Sequence, residues 1–196
     1  MENSNNKQQT EDNSIHKTHD LSALWDKHCE YEFVIRDAAA TMSTMVPEPY
    51  VNHIPTMTGG VGAKELYRFY EHHFIHGNPD DMEMIPISRV VGTDRVVDEM
   101  LCCFTHNREI DWMLPGIAPT GAYVKIPLVA IVTFRDGKLC NEHIYWDQAS
   151  VLVQIGLLDG TNLPVAGAET ANKLLDKNLP SNTLMKRWAD SAADEN

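Results

Sequence analysis

The apolar residues of this chain change their period near residue 82, and that change restricts the fold more than any other feature. Before it the pattern is helical. Asp20 is placed as an N-cap, and Leu24, His28, Tyr31 and Ile35 recur at helical spacing, with Trp25 and Val34 widening the stripe. Residues 38–45 continue as a second helical piece until Pro47 and Pro49 stop it. Residues 50–54 form a short extended stretch, and from Lys64 the pattern is helical again through Leu66, Phe69, Tyr70 and Phe74. After residue 82 the period is two. Residues 82–91, 95–106, 109–113, 123–135 and 138–146 all read as strands, and Asp136-Gly137 marks a tight hairpin between the last two. Residues 148–155 then predict a helix capped by Asp147 and ended by Gly156, and residues 168–176 predict another. Helices first and antiparallel strands second define an α+β chain. Its helices cover one face of a curved sheet and leave a concave pocket suited to a small molecule.

Of the 196 residues 43% are hydrophobic, enough for a core, and 28 Asp and Glu against 16 Lys and Arg give a net charge of −12. So acidic a chain lacks the clustered cations that hold a phosphate backbone, so nucleic acid is excluded as a partner. The longest apolar run, residues 128–132, falls far short of the roughly 20 residues a membrane-spanning helix needs. The first ten residues lack the apolar segment of a secretory signal. Cys29, Cys102, Cys103 and Cys140 show no C-x-x-C spacing and read as reduced thiols of a cytoplasmic protein. Residues 1–19 are polar and predict a disordered tail, 20–160 one domain, and 161–196 a partly helical extension. Gly59-Gly60-Val61-Gly62 reads as a turn, since it lacks the Lys-Ser/Thr ending of a phosphate cradle.

Ionisable residues inside apolar strands carry the chemical information. Val97-Asp98-Glu99-Met100 places two adjacent carboxylates on opposite faces, so one is solvated and the other looks into the sheet interior. A carboxylate in apolar surroundings has a raised pKa and suits general acid/base work. The last strand divides likewise into Glu142, Ile144 and Trp146 on one face and His143, Tyr145 and Asp147 on the other; either set can furnish a proton-transfer pair in an aromatic pocket. Tyr50 and Asn52 share a side of their extended stretch and can hold one oxygen together, while His53 can shuttle a proton near neutral pH. His106 follows the carboxylate strand. His72, His73 and His76 crowd a helix end without an H-E-x-x-H pattern, so no metal is predicted there. No G-x-S-x-G nucleophile signature is present.

Several short motifs together resemble the SnoaL-like polyketide cyclase family of the nuclear transport factor 2-like (NTF2-like) superfamily. They are Tyr50-Val-Asn-His53-Ile-Pro55, Pro119-Thr-Gly121, Phe134-Arg-Asp-Gly-Lys138, Glu142-His143, and Asp147 leading into Gln154-Ile-Gly156-Leu-Leu158, and they span roughly residues 21–160. The resemblance implies a cone-shaped α+β barrel, a deep apolar pocket for a hydrophobic substrate, no cofactor, and a homodimer packed through the sheet. It also implies acid/base ring closure of a carbonyl-rich molecule with Asp147 as acid/base, and Glu99 is assigned as its partner or an alternative base. His53 and His143 would then relay protons, and Tyr50, Asn52, Trp25, Tyr145, Trp146, His106 and Glu142 would hold the substrate. The Tyr50/Asn52 pair resembles the water-positioning pair of related epoxide hydrolases, but Val97 stands where they carry arginine. Lactone or ester hydrolysis and non-catalytic ligand or protein binding are the alternatives.

Overall fold

A computed structural model describes residues 19–191. The tail anticipated over residues 1–19 therefore lies, apart from His19, outside the described residues. Asp20 accepts from the Ala23 amide at 3.0 Å and starts α1 (Leu21–Cys29), which widens into a π-helical turn at Glu30–Ile35. The short helix α2 (Ala38–Ser43), capped by Asp37, leads into β1 (Met45–His53) and β2 (Thr58–Val61). Helix α3 (Ala63–Phe69) likewise continues as a π-helical turn, Tyr70–Phe74. The long strands β3 (Glu83–Val91), β4 (Arg95–Thr105), β5 (Tyr123–Arg135) and β6 (Lys138–Trp146) follow, then α4 (Gln148–Gln154), α5 (Glu169–Leu175) and α6 (Trp188–Ser191). None of the helices among the described residues is long and apolar enough to cross a membrane.

The six strands form one curved sheet in the order β2-β1-β6-β5-β4-β3, antiparallel except for the parallel pair β1–β6. Its edge strands β2 and β3 do not meet, so the sheet is open rather than closed into a barrel. The helical layer of α1 and α3 packs into its concave face, and one large core joins Trp25, Tyr70 and Phe74 to Phe104, Ile126 and Val132. On the convex side Ala171 of α5 buries Leu101 and Cys103 of β4. The extension thus occupies part of the face on which sheet-to-sheet pairing of two copies was anticipated.

Two local readings are corrected. Residues 109–113 form turns, not a strand, because the Ile110 carbonyl accepts from the amides of both Met113 and Leu114, curling the segment so that Ile110, Trp112 and Met113 are buried. Gly59 and Gly60 belong to β2 rather than to a turn. Gly59 has a φ of 135°, and a Cβ there would lie 2.1 Å from the Val51 carbonyl oxygen, so only glycine allows this close pairing with β1.

Candidate active site

Between the helical layer and the concave face of the sheet lies a cavity of about 250 Å³. Phe33, Phe74, Met84, Met100, Leu128 and Ile144 make most of its wall apolar. Two sets of ionisable side chains interrupt that wall.

The first set straddles the helix–sheet interface. His28 and Glu32 lie four residues apart on the inward face of the first helix and its π-helical turn, and Glu142 points inward from β6. All three are buried. His28 Nε2 lies 3.0 Å from Glu32 Oε1 and 3.2 Å from Glu142 Oε1, and the Tyr70 hydroxyl donates to Glu142 Oε1 at 3.2 Å. Behind the ring, His28 Nδ1 meets Thr44 Oγ1 at 2.6 Å, and Thr44 Oγ1 spends its own proton on the Thr41 carbonyl at 2.7 Å. Nδ1 is therefore the protonated nitrogen, and Nε2 is the one directed at the carboxylates. Burial disfavours the imidazolium, but the two facing carboxylates outweigh it and raise His28 to about 10. Burial also raises Glu32, against the opposing pull of His28. Tyr70 stays a phenol, because burial and the neighbouring carboxylates push it well above its usual value.

The second set is an ion pair near α1. Arg89 of β3 grips Asp98 through Nε at 3.0 Å and Nη2 at 2.7 Å, and its Nη1 donates to Asp26 at 2.6 Å and to Ser22 at 2.8 Å. Trp25 joins the two sets. Its indole N–H donates to Asp98 at 2.8 Å, and its ring stacks on His28 with centroids 5.6 Å apart.

His53 lines the cavity beside them, surrounded by Phe69, Phe74, Trp112 and Trp146 at centroid distances of 4.8–5.9 Å. Its Nδ1–H donates to the Thr58 carbonyl at 3.1 Å, and burial lowers it to about 4, so it is a neutral imidazole.

Of the residues singled out in the sequence, Trp25, His53 and Glu142 line the cavity, and Trp146 packs behind His53 and Trp112. The others do not reach it. Asp147 is exposed, and its carboxylate caps α4 by accepting from the Ala149 and Ser150 amides at 2.9 and 3.2 Å. Glu99 faces the convex side, where it accepts from the Ser88 hydroxyl at 2.7 Å. Strand parity is the reason in both cases, since Asp98 and Glu142 take the inward positions. His143 and Tyr50 meet edge to face at 5.5 Å on that same convex face, beside Asn52 in the register and the exposed Tyr145. His106 is buried in the loop after β4 with Nδ1 3.1 Å from Thr120 Oγ1, away from the cavity. His28, Glu32, Tyr70 and Arg89 were missed. The available signal was the inward spacing Leu21, Trp25, His28, Glu32, which runs one position out of phase with the stripe read from Leu24.

The model of the SnoaL-like domain matches residues 25–142, more than half of the chain. No curated protein matches the sequence. Among solved structures, TsrD from Streptomyces laurentii superposes with a TM-score of 0.55 at 17% identity, covering 70% of this chain and 96% of its own. An NTF2-like protein of unknown function from Burkholderia pseudomallei gives 0.53 at 18%, covering 69% and 96%. A protein from Acidithiobacillus ferrooxidans proposed to be a polyketide cyclase gives 0.53 at 20%, covering 72% and 96%. At these identities the likeness is one of fold.

Proposed function

We propose, from the premise that this chain belongs to the SnoaL-like domain family, that it is an acid/base enzyme acting on a compact, largely apolar carbonyl compound. The observation that carries this reading is the convergence of Glu32, Glu142 and Tyr70, backed by His28, on one wall of an otherwise apolar cavity. Apolar surroundings strengthen each charge there, and a carboxyl group with a raised pKa, as Glu32 has, marks a candidate site of proton transfer.

In this reading Glu142 is the base. Its carboxylate takes a proton from the carbon beside a substrate carbonyl, and the Tyr70 O–H, released from Glu142 as that carboxylate is protonated, turns to donate to the developing enolate oxygen. Glu32, whose pKa burial raises above the ordinary carboxylate value, is the acid that returns a proton to the product. His28 holds the two carboxylates together and steadies whichever is charged. Aldol closure of a ring is the reaction that best uses an enolate made inside one small cavity: the enolate carbon adds to a second carbonyl of the same molecule, and the new alkoxide takes its proton from Glu32. A volume of about 250 Å³ falls just below the roughly 300–1,000 Å³ usual for ligand sites, so the substrate is small.

The test compares wild type with Glu142→Gln and Asp147→Asn on a panel of poly-β-keto and lactone-forming compounds, with folding checked by circular dichroism. The folded Glu142→Gln protein should lose about 10²–10⁴ in rate while Asp147→Asn keeps wild-type turnover. Equal turnover by Glu142→Gln and wild type overturns the assignment. Tight ligand binding without turnover by any of the three makes the cavity a binding site only.

A further inference from the structure

His28 Nε2 and the carboxylates of Glu32 and Glu142 converge on one point at the cavity wall. Because Thr44 holds a proton on His28 Nδ1, Nε2 is the nitrogen that faces Glu32 Oε1 and Glu142 Oε1, at 3.0 and 3.2 Å. Acceptors this close repel unless a cation lies among them. An imidazolium proton can lie there, and so can a divalent cation bound to a neutral imidazole, whose charge the two carboxylates balance.

We infer that His28 Nε2, Glu32 and Glu142 form a binding site for a first-row divalent transition-metal ion. The three ligand atoms lie within 4.8 Å of one another, and all three side chains are buried. Bonds of about 2.0–2.2 Å to nitrogen and oxygen place neighbouring ligand atoms roughly 3.0–3.5 Å apart, the spacing His28 already keeps to both carboxylates. The remaining features fit a metal site. The hydrogen bond from Nδ1–H to Thr44 is the outer-shell contact that sets a ligating histidine's tautomer and ring orientation. Glu32 sits in a π-helical turn, a local widening that recurs at functional positions in helices. Three protein ligands leave positions open toward the cavity, beside the Tyr70 hydroxyl. One imidazole and two carboxylates suit zinc, iron(II), cobalt(II) or manganese(II), while three ligands with a nitrogen among them are too few and too soft for calcium.

The ion would take the carboxylates that the proposed acid/base chemistry uses, so the metal-bound and metal-free proteins are alternative states of one site, and the metal site does not depend on turnover. The experiment titrates the chelator-treated full-length protein with Co²⁺ and with Zn²⁺, reading the cobalt d–d absorption and the calorimetric stoichiometry. One ion per chain is expected, displaced from cobalt by zinc, with affinity reduced at least about 100-fold in Glu32→Gln and about 10–100-fold in Thr44→Val, which keeps all three ligands. The exposed pair His73 and Asp111, 3.0 Å apart, is the rival surface site, so His73→Ala serves as the control. An anomalous-scattering peak among the three ligand atoms in zinc-soaked wild-type crystals is the second expected result, and it needs no variant. Absence of one-to-one binding, or binding lost only in His73→Ala, overturns the site whatever the turnover. Turnover by chelator-treated protein upholds the acid/base reading independently. Turnover only after metal loading overturns that reading and leaves the metal site standing.

Discussion

His53 is the residue whose protonation tests the electrostatics of the cavity most directly. It is buried among four aromatic rings, its single hydrogen bond goes to the Thr58 carbonyl, and burial lowers its pKa to about 4, against about 6.5 in an unfolded chain. The unfolded state thus takes up a proton at a higher pH than the folded state does. Stability from the neutral ring is complete above pH 6.5 and disappears as pH falls toward 4. With one pKa unit worth about 1.36 kcal/mol, the loss between pH 7.5 and 4.5 is about 2.5 kcal/mol. The comparison is His53→Asn, whose amide N–H can replace the bond to Thr58. Losing the ring lowers stability at every pH, so only the change in the gap between the two proteins counts. Urea unfolding of both proteins from pH 7.5 to 4.5 should show wild type ahead at neutral pH and the gap narrowing by about 2.5 kcal/mol on acidification. A gap constant within about 0.5 kcal/mol would refute the claim that His53 is held neutral, and with it the picture of a dry aromatic wall.

Two further outcomes follow from the same geometry. Asp147→Ala should cost about 1 kcal/mol in thermal unfolding through loss of the α4 cap, while turnover per folded molecule stays unchanged. A loss of turnover with the fold intact would return Asp147 to the chemistry. Arg89→Met leaves the buried Asp98 carboxylate with only the Trp25 N–H and should destabilise by about 3–5 kcal/mol in urea, most of which Arg89→Met/Asp98→Leu recovers. Destabilisation below about 1 kcal/mol would show that Arg89 reaches solvent rather than holding Asp98.

The strands were legible because each one states its own periodicity. β3, β4, β5 and β6 lie close to where alternation places them, and the Asp136-Gly137 turn joins the last two. What alternation leaves open is which face is inward. Asp98 and Glu99 are equivalent locally, and so are Glu142 and His143. The helices settle the choice, because Trp25 donates to Asp98 and Tyr70 to Glu142 across sequence separations of 73 and 72. Asp147 misled for a different reason. A carboxylate at the end of a strand and the start of a helix is both a motif position and an N-cap, and two backbone amides claim it. His28 was read only as part of the helical stripe, and Glu32 escaped notice because a polar residue on the buried face of a helix breaks the apolar stripe by which such a face is recognised.

That break in the stripe has a consequence for how the site is assembled. Helix α1 and its π-helical turn bring Trp25, His28 and Glu32, whereas the sheet brings Glu142, Asp98 and Arg89. The sheet's carboxylate is not tolerable alone. Without α1, Glu142 in the concave face would be a buried charge facing only Tyr70. His28, already paired with Glu32 on its own helix, also reaches Glu142, so docking α1 onto the sheet satisfies that carboxylate and completes the cavity in the same step. The polar groups thereby fix the helix's rotation and register, which the apolar contacts of Leu21 and Trp25 alone would leave free to slide. A change that shifts α1 along its axis must then separate His28 from Glu142 before it empties the apolar core, so loss of site geometry should precede loss of fold.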